Sequence, residues 1–127
     1  MKRMNIATNA PWEKLVGYSR AVRTGKTVEV SGTVAIRDNE VVGIGNPYAQ
    51  TRRILEIIND VLQQAGGSIN DIVRTRIYVT DITHWEEIGR AHGEVFGDVL
   101  PATTMIEVSQ LIDPDCLVEI EATARIK

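Results

Sequence analysis

The chain has 127 residues, a formal net charge of -3 and a single cysteine. This length suits one domain, residues 1–127, with its own core; the negative balance excludes the basic stripe that phosphate backbones require, and one thiol excludes an internal disulfide. No run approaches the ~18 apolar residues of a membrane span and no apolar segment follows Met1-Lys2-Arg3, so the expectation is a cytoplasmic chain with no nucleic-acid and no membrane partner.

From the N-terminus, Met4 to Thr8 reads as a short strand that Asn9-Ala10-Pro11 ends. Ala21 to Arg23 and Thr27 to Ser31 flank Gly25, with Val28 and Val30 on one side, which predicts a hairpin. Glycine inside a strand weakens it, so Gly32 after Ser31 points to a bulge or to a group approaching the backbone closely. Asp38-Asn39 predicts a turn between a strand ending near Ile36 and an extended piece around Val41-Val42. Asn46-Pro47 supplies an N-cap and a proline at the first helical position, and Gly66-Gly67 supplies a stop. Between them Ile54, Ile58, Val61, Leu62 and Ala65 form one apolar stripe, while Arg52, Arg53, Glu56 and Asp60 cover the solvated side.

Ser68 to Asp71 is a polar joint. Val73, Thr75, Ile77 and Val79 then alternate with Arg74, Arg76, Tyr78 and Thr80, a strand with one apolar and one polar face. Arginines on that polar face need carboxylate partners, and Glu119 or Glu121 on a neighbouring strand can supply them. Thr83-His84-Trp85-Glu86 reads as a capping box opening a second helix, with Trp85, Ile88, His92, Val95 and Phe96 on its apolar face and Gly97 at its end. Towards the C-terminus, Thr104, Ile106 and Val108, then Val118, Ile120, Ala122, Ala124 and Ile126, predict two half-buried strands separated by the loop Asp113-Pro114-Asp115. Glu119 and Glu121 project together from the face opposite the aliphatic row, a face that is either solvated or a site.

The expected fold class is therefore α+β, a mixed β-sheet with two helices packed on one face. Its second face, carrying Arg74, Arg76, Glu119 and Glu121, is either wet or covered by other subunits. His84 and His92 lie eight apart, roughly 80° around a helix, with no carboxylate or cysteine spaced to complete a metal site. His92 is expected to be a packed or interface histidine. Gly43-Ile44-Gly45 lacks the third glycine and the lysine of a phosphate loop, and no cofactor or metal is expected.

The stretch Pro101 to Lys127, with Pro101-Ala102, a branched-hydrophobic strand, a loop and then Val118-Glu119-Ile120-Glu121-Ala122, resembles the signature of the Rid family, also called YjgF. The resemblance runs from Tyr18 to Arg125 and implies a chorismate-mutase-like fold. It also implies a homotrimer, a small-molecule cleft between subunits and hydrolysis of enamines and imines with release of ammonia. Residue by residue, it implies that Glu119 is the catalytic, water-binding carboxylate. Tyr18, Ser31, Gly32, Gly89, Thr103 and Met105 then match substrate-binding positions. The chain departs from the pattern at three positions: Thr33 stands where glutamine is common, Gly89 where asparagine is common, and Thr103 where active members carry an arginine that grips a substrate carboxylate. A trimeric ligand-binding or regulatory module without catalysis is thus the alternative function, because fold does not fix activity.

Overall fold

The computed structural model describes residues 2–127. Six strands form one mixed sheet: β1 (Arg3–Ile6), β2 (Ala21–Thr24), β3 (Thr27–Thr33), β6 (Ile72–Val79), β7 (Ala102–Glu107) and β8 (Val118–Arg125), in the order β1-β2-β3-β8-β6-β7. Only β6 and β7 run parallel, as the crossover through a helix between them requires. The short ribbon β4 (Ile36–Arg37) and β5 (Glu40–Val41) lies apart, turned by Asp38 and Asn39, both in the left-handed region as a two-residue hairpin demands.

Two helices, α2 (Pro47–Gln64) and α3 (Trp85–Phe96), contact each other and bury their apolar sides against the sheet. The start of α2 is capped by Asn46, whose side chain accepts from Ala49 N at 3.0 Å. Its end is closed by Gly66 at φ 91°, with Gly67 N donating to Leu62 O at 2.8 Å. Ile54, Ile58, Val61 and Leu62 of α2 meet Ile77, Val118, Ile120, Ala122 and Ala124 in a single core. The α+β class, the two helices on one face and the aliphatic row of β8 thus follow the sequence pattern.

Four local expectations are corrected. A short helix, α1 (Pro11–Val16), follows the Asn9-Ala10-Pro11 break, where the sequence pattern assigned no element, because Glu13 folds back to accept from Ala10 N and from Thr8. The cap of the second helix is not the Thr83 box; Asp81 accepts from Thr83 N at 3.0 Å and opens a 3-10 turn ahead of α3, leaving Trp85 55% exposed. Val73 is 46% exposed because a register irregularity between Ile72 and Arg74 shifts the alternation, so Ile72 takes the buried place. In β7 the phase is inverted: Thr104 and Ile106 are exposed, and Met105 packs against the core. As an edge strand beside β6, β7 buries little of either face, and its period-two pattern carries no information about the core.

One buried polar group sets the loop before β8. Gln50 on α2 is fully buried; its amide donates to Asp115 O at 2.8 Å and accepts from Leu117 N at 2.8 Å. Gln50→Leu strands both backbone groups in an apolar place and is expected to lower unfolding free energy by at least about 2 kcal/mol, measured by urea denaturation.

Candidate active site

Beyond the start of β2, β3 continues beside β8 and shifts register between Val30 and Thr33. The gap beyond β2 opens into a cleft of about 390 Å³ whose wall includes Tyr18, Arg20, Gly32, Thr33, Cys116 and Glu119. Gly32 lies directly under the Glu119 carboxyl. A Cβ built on it would stand 2.6 Å from Glu119 Oε2 and 2.9 Å from Cδ, so the side chain keeps this position only above a glycine. This is the close approach that a glycine in mid-strand foretold.

Arg20, 5% exposed, holds the wall together. It donates to Gly32 O at 2.6 Å, Thr33 Oγ1 at 3.1 Å and Tyr18 Oη at 3.1 Å, and its Nε stands 3.6 Å from Glu13 Oε2. Burial pushes the Glu119 carboxyl above its usual range; the Arg20 charge opposes that shift and Glu121 adds to it. Cys116, beside the same carboxylate, is pushed up to about 11 by burial and by Asp113, Glu119 and Asp115, which leaves it a thiol. Glu121 accepts from Tyr78 Oη and lies 4.0 Å from Arg76, so the expected arginine–carboxylate pairing across the sheet falls on Arg76 and Glu121. Arg74 instead donates to Thr104 Oγ1 at 2.7 Å on that same face.

Of the residues singled out in the sequence, Tyr18, Gly32 and Glu119 meet in this cleft. Ser31 lies next to it, but its hydroxyl donates to Ser19 O at 2.7 Å. Gly89 sits on α3 with open space where a side chain would be, and Thr103 and Met105 belong to β7. Glu119 pairs with Tyr78, which pairs with Ile106, whereas Thr103 pairs with Thr75. Thr103 is thus two strands across and three residues along from Glu119, about 14 Å away and on the opposite face of the sheet. Within one chain the two halves of the expected site do not meet. Arg74 and Arg76 point away from Thr103 and do not replace the missing guanidinium. His92 is half-buried and packed, stacked on Phe96 at 4.5 Å with Nε2 2.9 Å from Thr75 Oγ1.

Arg20 was missed, since one arginine between a tyrosine and a hydrophobic strand gives no sign of burial. No helix is long and apolar enough to cross a membrane. Among the described residues, no three His, Cys, Asp or Glu side chains are grouped to hold a metal ion.

A small α+β domain with a carboxylate-bearing cleft beside its sheet defines a recognisable class. The profile of the endoribonuclease L-PSP family matches residues 8–126, and the chain belongs to that family, the YjgF or Rid family. It is 36% identical to a RutC family protein of Pyrococcus horikoshii over 98% of both chains. It is 34% identical to a protein of Acinetobacter baylyi named 3-aminoacrylate deaminase RutC, over 88% of this chain and 89% of that one. A solved YjgF-family structure from Mycobacterium tuberculosis, 46% identical, superposes with a TM-score of 0.90 over 98% of this chain and 100% of the other.

The raised Glu119 pKa has a stability consequence. The folded state holds this proton more tightly than the unfolded one, so stability falls as pH rises from the ordinary carboxylate range towards the folded pKa, and the full penalty applies above it. Glu119→Gln removes the penalty. Its melting temperature is expected to exceed that of the wild type at neutral pH, with the gap closing as pH falls to about 4, the range of free carboxylates; scanning calorimetry across pH measures it.

Proposed function

We infer that the protein is an enamine/imine deaminase working in a cleft shared between subunits of a homotrimer. The observation that carries this is the Glu119 carboxylate, fixed over Gly32, half-buried and beside Arg20 at the cleft wall. A carboxylate with a raised pKa suits a group that must hold a water and then exchange protons near neutrality. Glu119 takes a proton from water as the water oxygen adds to the carbon of a C=N bond. The carboxyl returns the proton to nitrogen, the carbinolamine collapses to a carbonyl, and ammonia leaves. The relative named 3-aminoacrylate deaminase supports this reaction class.

The distance between Glu119 and Thr103 supports assembly, since a second copy packed against the exposed edge β7 supplies the other half of the site. In this arrangement Tyr18, Ser31 and Gly32 line the cleft with Glu119, and Gly89, Thr103 and Met105 come from the neighbour. Light scattering at micromolar concentration is expected to give the mass of three subunits; the mass of one subunit overturns the shared cleft.

One observation favours a binding or regulatory module as the second reading: Thr103 offers a substrate carboxylate one neutral hydroxyl where a guanidinium would offer a two-pronged, charge-assisted grip. A hydrogen bond to a charged group contributes roughly 1.5 to 3 kcal/mol, so 2-aminoacrylate should be hydrolysed about ten- to a hundredfold more slowly than by Thr103→Arg. Following ammonia release from 2-aminoacrylate generated in situ tests both readings. A slow wild type, a faster Thr103→Arg and an inert Glu119→Gln support the deaminase, whereas inert wild type and inert Thr103→Arg decide for the module.

A further inference from the structure

Three side chains away from the Glu119 cleft form a continuous hydrogen-bonded row. His92 Nε2 lies 2.9 Å from Thr75 Oγ1, and Thr75 Oγ1 lies 2.8 Å from Thr103 Oγ1. Thr75 is fully buried, His92 is half-buried against Phe96, and Thr103 is exposed on β7. One buried hydroxyl therefore wires an imidazole to the surface. The remaining contact of Thr103 is weak, 3.3 Å to Pro101 O.

Each hydroxyl has one proton, so the row has a direction. With His92 Nε2 bare, Thr75 donates to it and accepts from Thr103, and Thr103 turns lone pairs outward. With Nε2 protonated, the row reverses and the Thr103 proton faces outward. Desolvation pushes His92 below its usual pKa, so near neutrality the uncharged imidazole, with its two tautomers, sets the direction. The exposed hydroxyl can thus give one hydrogen bond or take one, and nothing in the row carries charge. A carboxylate could use only the donating sense and would exchange its hydration for a single neutral bond.

We propose that His92, Thr75 and Thr103 form a specificity-determining subsite that takes an uncharged amide or carbonyl group of the substrate in place of a carboxylate. This deepens the deaminase reading and rests on it for the meeting of Thr103 with the Glu119 of a neighbouring copy. Thr103 is the binding group. Thr75 and His92 are positioning residues that act through it.

Pyruvamide and pyruvate are the neutral and anionic carbonyl compounds that hydrolysis of the matching imines releases, and they serve as probes. The full-length, isotope-labelled protein is titrated with each near neutral pH and followed by NMR at the amides of residues 102–105 and at the His92 ring nitrogens, whose shifts report the tautomer. Pyruvamide is expected to bind at least about fivefold more tightly than pyruvate, the scale of one neutral hydrogen bond, and to move the His92 ring signals. Thr103→Val should remove the preference, and Thr75→Val should leave the ring signals unmoved by pyruvamide. Pyruvate binding as tightly as pyruvamide, amide shifts that persist in Thr103→Val, or no response of residues 102–105 to either probe overturns the subsite. Should Thr75→Val fail to fold, Thr103→Val, at an exposed position, carries the test alone. Wild type and Thr103→Arg both inert towards 2-aminoacrylate sink the deaminase reading instead, so the two failures are distinguishable.

Discussion

The guanidinium of Arg20 sits 5% exposed at the point where the chain enters β2, and the geometry of the cleft depends on how that charge is satisfied. Burying a cation is costly unless its donors are used, and here they reach α1 through Glu13, the β3 backbone through Gly32 O, the Thr33 hydroxyl and Tyr18. Glu13 in turn holds Thr8 and Ala10, so the N-terminal segment is fastened to β3 by a chain of polar contacts. The pull on Gly32 O is at the strand position over which Glu119 lies. With Arg20 already committed to these partners, the carboxylate keeps a raised pKa although a cation stands near. Catalytic carboxyl groups need this combination of fixed position and weakened ionisation.

Beyond the cleft, the sheet presents an uncovered polar face. Arg76, Tyr78 and Glu121 satisfy one another there, and Arg74 reaches Thr104 on the edge strand. A face so paired is tolerable in water and also suits burial against another copy, because its charges already have partners. The edge strand β7 adds exposed Thr104 and Ile106, and unpaired backbone groups on its outer side invite a neighbour. Both features lie on the side of the molecule where the two halves of the site would have to be joined.

The parts of this fold that were legible in the sequence are those whose burial has a period. α2 is bounded by Asn46-Pro47 and Gly66 and striped by Ile54, Ile58, Val61 and Leu62, and β8 alternates strictly because it is a central strand with one face in the core. Where periodicity and burial part company, reading fails. β7 alternates as cleanly as β8, yet as an edge strand it is exposed on both sides, and its phase is set by pairing with β6. α1 has six residues, with Leu15 84% exposed, and is held by one glutamate instead of an apolar stripe. The candidate site divides in the same way. Gly32 announced a close approach because glycine in a strand needs a reason, whereas the burial of Arg20 and the wiring of Thr75 to His92 are tertiary facts without a local signature.

The separation of Glu119 from Thr103 bears on how such a protein can change its substrate. One residue lies on a central strand above a glycine that fixes it; the other lies on an edge strand about 14 Å away, with β6 between them. Substitutions that far apart without shared partners act nearly independently. Within one chain, an exchange of arginine for threonine at position 103 therefore leaves the Gly32 seat of Glu119 and its Arg20 neighbour in place. The cost falls on recognition of an anion alone. On the proposed reading, a change of ligand is carried by β7, with Thr75 on β6 and His92 on α3 supplying an uncharged support, while β8 stays as it was. The raised pKa of that carboxylate is destabilising near neutrality, so an uncharged residue above Gly32 would make the protein more stable.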